Sequence, residues 1–239
     1  MKFSSAIIII TASFTFAMTR SEPKRPHKPL HAEFAACIAR QPYDVVLDEL
    51  KLTIDKDVFP PDLGHCARNL ARFATHYAPR TALDMGCGSG YLALMLKRHG
   101  AEVVWGADIH PLAVECARKN AAQNPDVGPV TFVQSDLFAS IPAPIKFDLI
   151  VFNQPFGPGD QRRVCGCGAD GGYEITKRFL LEAPAHLSDE GVLIMAFSDR
   201  EAAKHDPKSV ARELGYPART LLHAFYNDAN NFIYEIRRP

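Results

Sequence analysis

The stretch Ala82-Leu83-Asp84-Met85-Gly86-Cys87-Gly88-Ser89-Gly90-Tyr91 decides the reading of this chain. A short apolar run with one acid leads into three alternating glycines, then into a helix-like segment. Glycines at such a junction permit a tight turn and let a ligand approach the backbone closely. The spacing is Gly-x-Gly-x-Gly, with Tyr91 where a dinucleotide fingerprint has its third glycine. No Gly-Lys-Ser/Thr follows, so a P-loop is excluded. A loop without the dinucleotide spacing need not cradle a pyrophosphate; it can lie under a nucleoside that bears an amino-acid tail.

Outward from this loop the pattern alternates. Strand-like segments fall at 81–85, 102–107, 130–134, 147–152 and 191–197, with helix-like segments at about 90–99, 111–124 and 174–187. Pro111 suits a first helical turn. Short apolar strands alternating with helices predict an α/β fold, a mostly parallel sheet with helices on both faces. Two last strands, 219–225 and 231–237, read as a C-terminal antiparallel hairpin around Asn227-Asp228-Ala229-Asn230. Upstream, 31–41 reads as a short helix and 45–54 as a strand. Val58-Phe59-Pro60-Pro61 reads as a rigid turn, and Asp62 as the cap of a helix over 63–78. This divides the chain into a leader and flexible arm (1–30), a small N-terminal cap (31–78) and a main domain (79–239).

Three acids stand at the carboxyl ends of consecutive strands, where open α/β sheets bind ligands. Asp108 ends the second strand and can accept hydrogen bonds from both hydroxyls of a ribose. Asp136, in Ser135-Asp136-Leu137-Phe138, follows the third and can accept from an adenine amine. Asp84 can orient the glycine loop and face an ammonium group.

With the glycines, these acids resemble the class I S-adenosylmethionine-dependent methyltransferases over about 79–239. The resemblance implies a Rossmann-like seven-stranded sheet and S-adenosyl-L-methionine as cofactor. It assigns cofactor binding to Asp84, Gly86, Gly88, Gly90, Asp108 and Asp136.

The fourth strand, Phe147-Asp148-Leu149-Ile150-Val151-Phe152, runs into Asn153-Gln154-Pro155-Phe156. This looks like the Asn-Pro-Pro-Tyr/Phe motif of amino-methylating members of that family, with Gln154 in place of a proline. The Asn153 amide oxygen and the carbonyl of residue 154 can accept from an N–H group and aim the nitrogen lone pair. Phe156 can stack on a planar substrate or face a cation. The effect is positioning, and no strong base is needed. Asn153, Gln154, Pro155 and Phe156 are therefore the candidate catalytic residues. The polar, glycine-rich 157–172 loop after them suits a lid or substrate reader. Its Arg162 and Arg163 can bind a carboxylate or phosphate, or be solvated. Val58-Phe59-Pro60-Pro61 and Asp170-Gly171-Gly172 resemble HemK-like glutamine methyltransferases, although residues 31–78 are too few for the helical recognition domain of that group.

Composition bears on partners. Of 239 residues, 47% are hydrophobic and 23% charged, and 27 basic residues balance 27 acidic ones. This excludes a mainly disordered chain and a polytopic membrane protein. Zero net charge disfavours a large nucleic acid, whose phosphates reward a basic excess. It points to a small-molecule substrate, with a protein substrate as the alternative. Among six cysteines only Cys165 and Cys167 are close, with no second pair to complete a zinc site, so no metal is expected. Phe3 to Ala17 is a weak secretory-type signal; Met18 is the preferred start, and the expected location is cytoplasmic. The expected activity is N-methylation of a small molecule or a protein side chain. The alternative is ring closure of S-adenosylmethionine to azetidine-2-carboxylate with release of methylthioadenosine. Methyl transfer is preferred because it is the commoner chemistry of the fold.

Overall fold

The computed structural model describes residues 30–63, 65–155, 172–199, 205–226 and 229–238; for 30–34 and 226 it describes the backbone alone. The leader and the arm to residue 29, Phe156, and the 157–171 part of the expected lid lie outside the described residues, as do Cys165 and Cys167.

The chain opens with α1 (Leu30–Ala39), a hairpin of β1 (Tyr43–Leu47) and β2 (Leu50–Ile54), and α2 (Cys66–Thr75). The single strand expected over 45–54 is thus two strands. Asp48 and Glu49 both take left-handed φ values, 47° and 65°, the backbone a two-residue hairpin turn requires. Nothing like Asn-Gly announces it. Asp62 does not cap α2; it accepts a 2.7 Å hydrogen bond from the Tyr43 hydroxyl.

The alternation then follows: β3 (Thr81–Met85), α3 (Tyr91–Arg98), β4 (Val103–Asp108), α4 (Pro111–Gln123), β5 (Thr131–Gln134), β6 (Phe147–Phe152), α5 (Tyr173–Glu182) and β7 (Leu187–Ser198). Helix α6 (Pro207–Glu213) leads to β8 (Ala218–Tyr226) and β9 (Ala229–Arg237). The sheet has seven strands in the order β5-β4-β3-β6-β7-β9-β8. Strands β3 to β7 pair in parallel, and β9 joins β7 and β8 antiparallel. The fold is the expected Rossmann-like one.

Alternate residues of each strand face opposite sides. Ala82, Leu149, Val151, Ile194 and Ile233 pack against α2, α3, α4 and the β1–β2 hairpin. Leu83, Met85, Ile150, Phe152 and Met195 pack against α5 and α6. The hairpin has no core of its own: Leu50, Leu52 and Ile54 are buried in the first of these layers.

Strand order sets the position of the site. β3 lies between β4 and β6, so the chain leaves β3 in one direction and returns to its other side. This is a topological switch point, where a crevice opens at the carboxyl edge. Register aligns Met85 with Ala107 on one side and with Phe152 on the other. Gly86, Asp108 and Asn153 therefore emerge side by side. Among the described residues no helix is long and apolar enough to cross a membrane.

Candidate active site

The glycine loop carries φ values of 66° at Gly86, 52° at Gly88 and 82° at Gly90. The three positions are constrained differently. A Cβ on Gly90 would lie 2.9 Å from the Cβ of Ala117, so that glycine lets α3 and α4 close together. A Cβ on Gly88 would meet nothing within 4 Å: this part of the backbone lines open space at the switch point. The loop is tied down by Cys87 N–H donating to the Ala107 carbonyl (3.0 Å) and Gly90 N–H donating to that of Cys87 (2.7 Å).

Asp108 accepts from the Gly88 N–H and the His110 N–H, each at 2.9 Å. One carboxylate thereby ties the glycine loop to the start of α4. Burial pushes the Asp108 carboxyl above the usual range, against those two N–H groups. Asp84 is fully buried under the loop. Its Oδ2 accepts from Ala93 N–H in the first turn of α3 (3.1 Å), and its Oδ1 has no hydrogen-bond partner among the described residues. Burial raises its pKa strongly, opposed by the Ala93 N–H and reinforced by nearby Asp108. Two buried acids near enough for one to raise the pKa of the other suit a positively charged ligand.

Asp136 is more exposed. Its Oδ2 accepts from Arg178 of α5 at 3.2 Å, an ion pair that ties the end of β5 to α5.

Across the switch point, Asn153 follows β6 directly. Its Oδ1 is buried and has no hydrogen-bond partner among the described residues. Buried acceptors are rarely left unpaired, because desolvation without a bond costs about 1–3 kcal/mol. Gln154, the departure from the proline pattern, is 3% exposed, and its Oε1 accepts a 2.6 Å bond from Thr176 of α5. Thr176 Oγ1 also lies 2.7 Å from the Gly172 carbonyl. The Gln154 side-chain oxygen is thereby anchored to α5, at the position where the related motif has a rigid proline. Pro155 is half-buried beside it. Among the described residues no group of three or more His, Cys, Asp or Glu is placed to hold a metal.

Sequence reasoning missed Thr176 and Arg178, whose roles appear only when α5 folds over the crevice. It also missed Gly106, where a Cβ would sit 2.6 Å from the Phe132 ring. A glycine inside an apolar strand was the available signal.

Residues 62–214 match the family model described as methyltransferase small domain. The chain belongs to that family. It is a methyltransferase. A relative from Methanocaldococcus jannaschii, provisionally named a protein N5-glutamine methyltransferase, is 30% identical over 158 residues, covering 62% of this chain and 76% of its own. Ribosomal RNA small subunit methyltransferase C of Alcanivorax borkumensis is 35% identical over 115 residues, 48% of this chain and 31% of its own. Among solved structures, the Thermus thermophilus 16S rRNA N2 G1207 methyltransferase in complex with AdoMet and guanosine superposes with a TM-score of 0.61. At 21% identity it covers 82% of this chain and 50% of its own, a likeness of fold. The chain thus spans most of the archaeal relative and about a third of the ribosomal RNA one.

These relatives overturn the expected partners. Their names specify protein and RNA, not a small molecule, and nucleic acid is no longer disfavoured as a class. The physical fault was to treat a whole-chain charge as a property of one surface. Zero net charge is a sum, and the longer RNA relative has two-thirds of its length outside the shared region.

Proposed function

We propose that this protein methylates the side-chain amide nitrogen of a glutamine in a protein substrate. The observation that carries the reading is the buried Oδ1 of Asn153 at the carboxyl end of β6, which has no partner among the described residues. An acceptor held there bonds one N–H of a planar amide. It fixes the amide plane and places partial negative charge beside a nitrogen on which positive charge builds. The similarity to the archaeal relative, over most of that chain, supports glutamine as the acceptor.

The open space beside Gly88 and the buried acids fit the cofactor. We assign Gly86, Gly88 and Gly90 to close backbone approach, Asp108 to the ribose hydroxyls, Asp84 to the ammonium group and Asp136 to the adenine edge. Bound there, S-adenosylmethionine supplies an electrophilic methyl carbon on a sulfonium. Thr176 keeps the Asn153 turn in place through Gln154. The nitrogen releases its extra proton to water after transfer, so the chain needs no strong base. Phe156, outside the described residues, is assigned as a stacking surface for the substrate in this reading, and residues 31–78 serve as a cap on the 79–239 domain. A substrate of this kind, together with this cofactor, puts the activity in the cytoplasm.

Incubation with methyl-labelled cofactor and a cell extract from which the protein is absent tests the proposal. Label in a protein band that survives ribonuclease is expected. Label lost on ribonuclease treatment would refute the glutamine assignment. Cofactor consumed without any acceptor would refute methyl transfer itself in favour of ring closure.

A further inference from the structure

Strand β2 has one edge paired with β1. Its other edge is met by two asparagines at the C-terminal end of α4 and just beyond it. Asn124 Oδ1 accepts from Lys51 N–H (3.0 Å), and its Nδ2 donates to the Lys51 carbonyl (2.8 Å). Four residues earlier, Asn120 Oδ1 accepts from Thr53 N–H (2.8 Å), and its Nδ2 donates to the Thr53 carbonyl (3.0 Å). Positions i and i+4 of a helix lie on one face, as do i and i+2 of a strand. The asparagine amides therefore act as a surrogate strand.

Beyond these bonds, Asn124 Nδ2 donates to the Asn120 carbonyl (2.8 Å) and Asn120 Nδ2 approaches Cys116 Sγ (3.6 Å), but of the two it is Asn120 that reaches the glycine loop. Asn120 Nδ2 also donates to the carbonyl of Ser89, inside the glycine loop, at 2.9 Å. Asn120 is fully buried, and Ser89 is 2% exposed. The hairpin tip also reaches the helix that the loop leads into: Asp48 Oδ2 accepts from the hydroxyl of Tyr91, the first residue of α3 (2.6 Å). The hairpin is thus linked to the loop through Asn120 and to the start of α3 through Tyr91.

We propose that Asn120 is a positioning residue for cofactor binding: it transmits the placement of the N-terminal hairpin to the glycine loop through the Ser89 carbonyl. This rests on the reading of that loop as the cofactor cradle. Without Asn120, Ser89 loses its buried donor and the loop is free to leave the curvature that exposes Gly88. Asn124, which holds the hairpin but not the loop, is the matched control.

The test compares Asn120→Ala, Asn124→Ala and Asp108→Ala by thermal denaturation and by calorimetric titration with S-adenosylmethionine. Both asparagine variants are expected to melt at lower temperature. Only Asn120→Ala is expected to bind the cofactor more weakly, by about tenfold, the effect of one buried hydrogen bond. Its KM for the cofactor rises while kcat at saturation is kept. Should the alanine variant fold poorly, Asn120→Ser, whose single short hydroxyl cannot serve Thr53 and Ser89 together, takes its place with the same expected loss of affinity. Equal affinity loss in Asn120 and Asn124 variants, or none in either, overturns the proposal. If Asp108→Ala also binds as the wild type does, the cradle reading fails and the proposal with it, a result distinct from failure of Asn120 alone.

Discussion

Replacing Asn153 with alanine separates stability from turnover in a way few substitutions do. Its Oδ1 is buried without a partner among the described residues. With no bond from those residues, that atom contributes a desolvation cost of about 1–3 kcal/mol in the free protein. Removing it relieves this cost and forfeits only the packing of a half-buried side chain. The net change runs from neutral to a gain of about 2 kcal/mol. For a domain of this size each kcal/mol moves the melting temperature by roughly 2–4 °C. Turnover should move the other way, falling about 10²- to 10³-fold, the usual loss for one positioned hydrogen-bonding group at a reacting centre. Cofactor affinity should hold, because Asn153 is assigned to the acceptor side. Melting curves and initial rates at saturating acceptor measure both effects on one preparation. A variant that melts several degrees lower and keeps its rate would refute the reasoning, since Asn153 would then be an ordinary structural residue.

Other expectations follow from single contacts. Thr176→Val strands the buried Gln154 Oε1 and should cost about 1–3 kcal/mol in denaturant unfolding, with a lower kcat from the loosened turn. Gly106→Ala forces a Cβ against the Phe132 ring and should lower stability by about 1–3 kcal/mol; an unchanged melting point would show that the sheet yields there. The raised pKa of Asp84 in the free protein should fall when a cationic ligand binds. Cofactor affinity should therefore weaken as pH drops, with proton release detectable by calorimetry in buffers of different ionisation enthalpy; a pH-independent affinity contradicts the Asp84 role. Glu235 is buried, but bonds from Arg219, Tyr77 and Arg237 hold its carboxyl down at about 2. A lowered carboxyl pKa stabilises the fold above the unfolded value near 4.5, and that contribution is lost as pH falls towards 2. Glu235→Gln should cost on the order of 2 kcal/mol at neutral pH, allowing for solvent around both arginines, and should flatten the acid limb of the stability curve.

Much of the fold was legible because its signals are local. The short apolar runs of β3, β4 and β6 and the glycines after Met85 state their conformation within a few residues. So do the paired strands at the C-terminus. The errors came where conformation depends on distant partners. The turn at Asp48-Glu49 is held by Arg68 and Tyr91, neither of which is near it in sequence. Helix α6 is short and begins with Asp206 capping Lys208 N–H; its Asp-Pro start was the one local hint. Within the site, register brings Gly86, Asp108 and Asn153 together as the strand order implied. The Gln154–Thr176 bond and the Asp136–Arg178 pair were not legible, because α5 reaches them only through tertiary packing. The acceptor class was misjudged for a different reason: a sum of charges says nothing about where they sit.

The central claim is that Asn153 presents a glutamine amide for methylation. It is tested most directly by fragmenting the labelled product in a mass spectrometer and locating the added methyl group. The account predicts a methyl on the side-chain nitrogen of one glutamine, absent when the Asn153→Ala variant is used. A methyl found on an RNA base, or on any protein atom other than that nitrogen, would contradict it.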